Sequence, residues 1–320
     1  MRNRTVMGWI AVLALFSGGL SAEPVRKTLQ VSPAGKLTVR SDLGSVVVRG
    51  GSQESVELTV YREDGDAEEL SFELAPTPEG VLLTSDYSGK RGLYGMESNR
   101  LQVRYVLRLP TRYDLDIETE GGSITVQEIE GDVRAITNLG VLSFRSVRGS
   151  IFARAENGSL SVDRCIGDID IQTQSGTAYV GGTRGDVQLK SLAGALHLNG
   201  HHGEVEASTG SGTIQIDDVT GPVVAKTKRG DIEARLAAGD LEELRLTTLD
   251  GAVTVQVPPG LGLDLDLESP HGKVRSAYPV TRAGEPAEDG PGKPMLRGEI
   301  QGGGAPLVVR ATAGARVIKG

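Results

Sequence analysis

The side chains in this sequence best suited to chemistry recur eighteen residues apart. Acidic groups follow a glycine at Asp132, Asp168, Asp186 and Glu204, and Asp114 falls in the same register before them. Carboxylates stacked one strand apart are a potential site for a divalent cation, which takes several oxygen ligands. Ser150 and Pro222 break that column, and the Gly-Gly-x-Gly-x-Asp order of calcium-binding β-rolls is absent. Solvated turns, with Arg148, Arg184 and Arg229 as ion-pair partners, are the better reading. His197, His201 and His202 form one cluster in sequence. Zinc requires three or four converging ligands, whereas strand alternation sends His197 and His202 outward on different edges and places His201 in an inward column. Arg-Gly-Asp occurs at Arg184-Gly185-Asp186 and at Arg229-Gly230-Asp231, a tempting receptor signal. In both places the repeat already dictates the Gly-Asp step. The single cysteine, Cys165, rules out an intramolecular disulfide and reads as a small buried hydrophobe.

These residues are positioned by one 18-residue unit written six times from Gly131 to Ala238. Glycine opens each unit (Gly131, Gly149, Gly167, Gly185, Gly203, Gly221), and a second glycine follows nine residues later (Gly140, Gly158, Gly176, Gly194, Gly212, Gly230). Position three reads Val133, Ile151, Ile169, Val187, Val205, Val223, and position twelve Leu142, Leu160, Ala178, Leu196, Ile214, Ile232. Alternation of period two within each half predicts two short strands per coil. The glycines supply positive φ or close backbone approach at the corners. A fixed short period is the mark of a stack in which no unit buries its apolar face alone. At ~4.8 Å per rung, six coils rise on the order of 30 Å. The seventh column (Thr119, Thr137, Ala155, Thr173, Ser191, Thr209, Thr227) reads as hydroxyls satisfying corner backbone groups, with an exposed binding stripe as the alternative. The seventeenth (Ile129, Val147, Cys165, Thr183, His201, Val219, Ala237) adds a weaker inward column, so the cross-section is either a flat sandwich or a lopsided triangle. The left-handed hexapeptide helix of acyltransferases would need an aliphatic every six residues on three equal faces, and here the motif divides into nines. Handedness is not readable from the pattern, although crossover chirality favours right.

Residues 1–22 read as a secretory signal: Arg2 and Arg4, an apolar run from Val6 to Phe16, then Ser21-Ala22. Residues 23–112 are expected to hold a first coil (Gly35, Leu37, Val39, Ser41, Gly44, Val46, Val48) and antiparallel hairpins capping the stack, with a mobile loop at Ser88 to Asn99. Such caps cover the unpaired backbone groups of a terminal strand. Residues 113–270 are the regular solenoid, and 271–320 are a flexible loop (Thr281 to Pro294) and a C-terminal closing coil. One elongated all-β domain, a parallel β-solenoid, is expected.

Several segments together resemble the bacterial putative-adhesin family of domains of unknown function. They are Leu109-Pro110 with Leu115-Asp116-Ile117, the repeated Gly-Asp-Val/Ile turns, Val257-Pro258-Pro259 with Asp264-Leu265-Asp266-Leu267, and Gly302-Gly303-Gly304 with Thr312-Ala313-Gly314. The resemblance implies a β-strand-repeat fold, export and an adhesin-like role, and it carries over no catalytic residues.

Taking Arg2 and Arg4 with the leader from the 34 basic residues leaves 32 against 42 acidic, a net charge of −10. That argues against nucleic acid and anionic membrane surfaces as partners. The one tryptophan, Trp9, lies in the leader, and no Ser-His-Asp grouping, phosphate loop or paired-cysteine site is present. No catalytic, cofactor-binding or metal-ligating residue is assigned. The expectation is an exported, periplasmic or extracellular, non-catalytic scaffold of the cell envelope with a protein or polysaccharide partner and no membrane insertion once the leader is removed. A carbohydrate-active β-helix enzyme or polysaccharide-binding module is the alternative.

Overall fold

Each half-unit forms a strand because its apolar residues alternate with polar ones and its ends are glycines. Each strand then finds its hydrogen-bonding partner one repeat away. In the computed structural model, Val133, Ile151, Ile169, Val187, Val205 and Val223 stand in direct parallel register. Leu142, Leu160, Ala178, Leu196, Ile214 and Ile232 do the same in the second sheet. The structure describes residues 23–63, 70–88, 102–237, 241–282, 285–286 and 295–320. The expected secretory leader, most of the loop expected at Ser88 to Asn99 and most of that at Thr281 to Pro294 lie outside the described residues.

Among those residues there are 29 strands and no helix. The first sheet collects the opening strand of each coil and the second sheet the strand after the mid-unit glycine; Ile214–Arg229 runs from one into the other. Between them lies a continuous column of buried aliphatics. Full burial of each Val, Leu or Ile contributes roughly 1.5 to 3 kcal/mol before conformational entropy is subtracted.

A third short face closes the coil. Ile129, Val147, Cys165, Thr183, His201 and Val219 are all buried, and Arg148, Ile166, Arg184 and His202 bridge in parallel outside them. The chain turns into this face through a left-handed residue at position sixteen of six successive coils: Glu128, Ser146, Arg164, Gly182, Gly200 and Asp218, all with φ between 53° and 64°. Of the two cross-sections left open by the sequence, the lopsided triangle is the one formed.

At both ends the order of rungs departs from the order of the chain. The first coil, strands Gly35–Ser41 and Ser45–Gly51, pairs in parallel with Tyr113–Gly121 and Ile124–Glu130, as its template residues require. It is also flanked on its other side by Gly80–Tyr87 and Gln102–Pro110. Antiparallel strands cover that end: Leu70–Thr77 on the first sheet, Ser55–Glu63 and Val25–Gln30 on the second. At the other end the last coil, Ala305–Ala311 and Gly314–Lys319, is not the outermost rung. It lies between the coil of Leu241–Asp250 and Ala252–Val257 and that of Leu263–Glu268 and Lys273–Ser276. The antiparallel strand Met295–Ile300 then covers Leu263–Glu268.

The two interleaved coils are fixed by the same clamp. Arg40 donates through Nη1 to the Asp116 carbonyl (3.0 Å) and through Nη2 to the Asp116 carboxylate (2.7 Å), with Nε 3.4 Å from Glu118. Arg310 repeats the pattern on Asp266 (2.8 and 2.7 Å) and Glu268 (3.3 Å). A second arginine, Arg134 or Arg297, closes on the other oxygen of each aspartate. Burial opposes ionisation of Asp116, but the bonds from Arg40 and Arg134 outweigh it and hold the carboxyl below its usual range. At Asp266 the bond from Arg310 is the largest influence, and with Arg297 it has the same result.

The corners tolerate no side chain. Gly149 has φ 145°, and a Cβ there would lie 2.2 Å from the Gly131 carbonyl oxygen; Gly140 (φ 148°) would meet Gly122 at the same distance. Gly149→Ala and Gly140→Ala are each expected to destabilise the fold by roughly 2 to 4 kcal/mol through backbone strain and the clash. Gly121→Ala, where a Cβ would enter open space, is the control that leaves the denaturant midpoint nearly unchanged.

Candidate binding surface

The acidic column performs a structural task. Asp114 Oδ1 accepts the Asp132 amide (2.9 Å), Asp132 Oδ1 the Ser150 amide (2.9 Å), Asp168 Oδ1 the Asp186 amide (3.2 Å) and Asp186 Oδ1 the Glu204 amide (3.4 Å). Each carboxylate thus holds the main chain one rung above, where the sequence suggested arginine partners. Ser123 Oγ does the same for Val141, and Asp231 for Ala252. Both Arg-Gly-Asp aspartates are members of this ladder. Gly185 and Gly230 are corner residues with φ 128° and 138°.

The hydroxyl column also turns inward, so the exposed-stripe alternative falls. Thr137, Thr209 and Thr227 each donate toward a corner glycine carbonyl, those of Gly122, Gly194 and Gly212, at 3.0 to 3.2 Å. Thr119 and Ser191 occupy the same column with no partner for their buried hydroxyls.

The three histidines part company. His201 is fully buried, its Nδ1 2.8 Å from Thr183 Oγ1 and its Nε2 without a partner. Burial lowers its pKa below the ordinary value. His202 meets Thr220 Oγ1 through Nδ1 (2.7 Å). His197 instead stacks on Tyr179, ring centroids 4.8 Å apart and planes within 9°. Cys165 is buried; burial pushes its thiol up, and Sγ contacts the Val147 amide and the Asp163 carbonyl.

What remains available to a partner is the outer face of each sheet. On the second sheet the outward columns are Ser143, Ser161, Tyr179, His197, Gln215 and, two residues along each strand, Arg145, Asp163, Gly181, Asn199, Asp217. Near the capped end a shallow cavity of about 230 Å³ lies between Leu43, Tyr61, Val103 and the Gly121-Gly122 corner.

Two measurements follow from the buried polar groups. His201 has its folded-state pKa below its unfolded one, so the native protein binds fewer protons and loses stability as pH falls through the unfolded value of about 6.5. A drop in melting temperature between pH 7.5 and pH 5, flattened in His201→Val, is the expected result. In the hydroxyl column, Thr137→Val is expected to cost roughly 1 kcal/mol by leaving a carbonyl without its donor. Thr119→Val, which removes an unpaired buried hydroxyl, is expected to be neutral or stabilising.

Solved structures similar to the chain include a "putative cell adhesion protein" from Clostridium sporogenes ATCC 15579, at 10% identity and TM-score 0.21 over 93% of this chain and 99% of that one. Another is a "putative adhesin" from Bacteroides fragilis NCTC 9343, at 13% identity and TM-score 0.22 over 93% and 97%. A third, a "putative lipid binding protein" from Parabacteroides distasonis ATCC 8503, has 13% identity and TM-score 0.31 over 73% and 97%. No curated protein matches the chain. The model of the Toastrack DUF4097 family matches residues 35–290, which takes in both interleaving at the start of the stack and all the regular coils, and the chain belongs to that family.

Proposed function

We propose that this protein is an exported, non-catalytic scaffold of the cell envelope that binds its partner through the outward faces and edges of a rigid β-solenoid. The observation that carries this reading is what the chemistry-bearing side chains do. The acidic column accepts amides from the neighbouring rung, and the threonines bond corner carbonyls. The outward acid pairs Asp116/Glu118 and Asp266/Glu268 are held by arginines. A glycosidase needs two carboxylates about 5 to 10 Å apart and open to substrate; these are committed to the fold. Export rests on the basic, apolar and small-residue order of the first 22 residues.

Chemical crosslinking in intact envelopes, followed by capture of the tagged protein, is expected to recover a discrete envelope partner, and fractionation to place the protein outside the cytoplasm. Cytoplasmic retention, or polysaccharide cleavage by the purified protein, would contradict the reading.

A further inference from the structure

The second sheet carries, at mid-height, a notch that the fold does not require. Position fifteen of the coil holds Gln127, Arg145, Asp163, Asn199 and Asp217, all directed outward, but Gly181 in the one remaining regular rung between them. Gly181 has no left-handed φ, and a Cβ built on it would meet nothing nearer than the Asn199 carbonyl oxygen at 3.6 Å, an ordinary contact. It therefore differs from the corner glycines, whose lack of a side chain is imposed by the rung beneath. Its effect is a floor without a side chain. Asp163 and Asn199 flank that floor in the same column, one rung below and one above, so their strands stand about 9.6 Å apart, two strand spacings.

One side of the notch is aromatic. Tyr179, two residues before Gly181 on the same outward face, is 50% exposed. His197 stacks on it from the rung above; beneath it the column continues with the small side chain of Ser161, which leaves room at the ring. Beyond Gly181 the chain turns at the left-handed Gly182, where a Cβ would meet the Arg164 side chain at 3.4 Å, so that arginine borders the notch.

From this arrangement we infer that the Tyr179–Gly181 notch is a binding site for a neutral polysaccharide, one pyranose ring lying against the face of Tyr179 left open above Ser161 with its hydroxyl rim reaching over Gly181. This rests on, and sharpens, the scaffold reading above. A pyranose presents an apolar C–H face and a rim of hydroxyls that both donate and accept. The tyrosine ring takes the C–H face, as aromatic surfaces do in apolar contacts. The Asn199 amide offers donor and acceptor, and the Asp163 carboxylate, which also holds Arg145 and Arg164 at 3.3 and 3.2 Å, accepts. Without the leader the chain carries a net charge of −10, which disfavours anionic glycans at long range, while the arginines beside the notch, Arg145 and Arg164, are held by Asp163.

Affinity electrophoresis of the purified protein in native gels containing hydroxyethyl cellulose, xylan or galactomannan, with alginate as the anionic comparison, tests the site. Retardation by at least one neutral polysaccharide is expected. Tyr179→Ala should weaken it roughly tenfold, and Gly181→Gln, which installs the residue found at Gln127, should abolish it without changing the melting temperature. Lys190→Ala, on the opposite sheet, should leave it intact. No retardation by any neutral polysaccharide, retardation by alginate alone, or equal retardation of wild type and Gly181→Gln overturns the inference. So does loss of a crosslinked protein partner, rather than of a polysaccharide, in Tyr179→Ala. Silent gels with a captured envelope partner would remove the glycan site and leave the scaffold reading standing; binding in the gels by a cytoplasmic protein would do the reverse.

Discussion

In this molecule a corner amide has its acceptor almost a full coil away. Gly140 donates to the Asn157 carbonyl, Gly158 to Ser175, Gly176 to Ala193 and Gly194 to Ser211, at 2.8 to 3.1 Å. Main-chain groups that are buried and cannot reach water must be satisfied in this way. The bond forms only if successive coils approach to one strand spacing at their corners as well as along their strands. That single requirement propagates outward. It excludes Cβ atoms from the corners, brings each aspartate within reach of the amide above, and places side chains eighteen apart on top of one another, from the Val and Leu columns inside to the Tyr179–His197 stack outside. The regularity that makes the stack stable also consumes the groups that might otherwise do chemistry.

The ends face a different difficulty, since a terminal rung leaves unpaired strands. Here each end is resolved by taking a coil out of chain order. Strands Gly35–Ser41 and Ala305–Ala311 are flanked on both sides by strands distant in sequence; antiparallel strands then cover both sheets at the first end and Leu263–Glu268 at the other, where Lys273–Ser276 is left as a short four-residue edge among the described residues. Contacts with such sequence separation do not set their own register through a short turn. The Arg40–Asp116–Glu118 and Arg310–Asp266–Glu268 clamps supply it, since a planar guanidinium engages a carbonyl and a carboxylate together at one alignment of the two strands. Although surface ion pairs contribute little to stability, these specify which rung lies beside which.

Much of the architecture was legible because the physics leaves a residue type at each position. Aliphatics at three and twelve, glycines at one and ten, and the first coil at Gly35 could all be read from spacing. The third face was visible only as a weak column, because its turning residue at position sixteen is Glu128, Ser146, Arg164, Gly182, Gly200 or Asp218. Two glycines and an aspartate were its sole signal, and the left-handed conformation is imposed on the others by the rungs around them. The interleaving of the last coil left no trace in periodicity, since pairing order is decided by contacts across more than forty residues. Its sequence mark was the echo of Leu115-Asp116-Ile117-Glu118 in Leu265-Asp266-Leu267-Glu268. The acidic column was recognised, but its partners were not: a carboxylate bonded to an amide eighteen residues on looks, in sequence, the same as one facing water. Gly181 was hidden for the opposite reason, as one glycine among 44 and distinguishable only once the space around it was known.

The stacking itself is most directly tested by pulsed electron-resonance distances in a Cys165→Ala background, with spin labels placed at Ser143 and, in turn, at Gln215, Glu233, Thr254, Arg316 and Arg275. These outward positions lie on successive rungs of the second sheet in that order. Parallel stacking predicts a first distance near 19 Å and a rise of about 5 Å at every step, with Arg316 nearer than Arg275 despite being later in the chain. Distances without a constant increment, or Arg275 nearer than Arg316, would contradict the account.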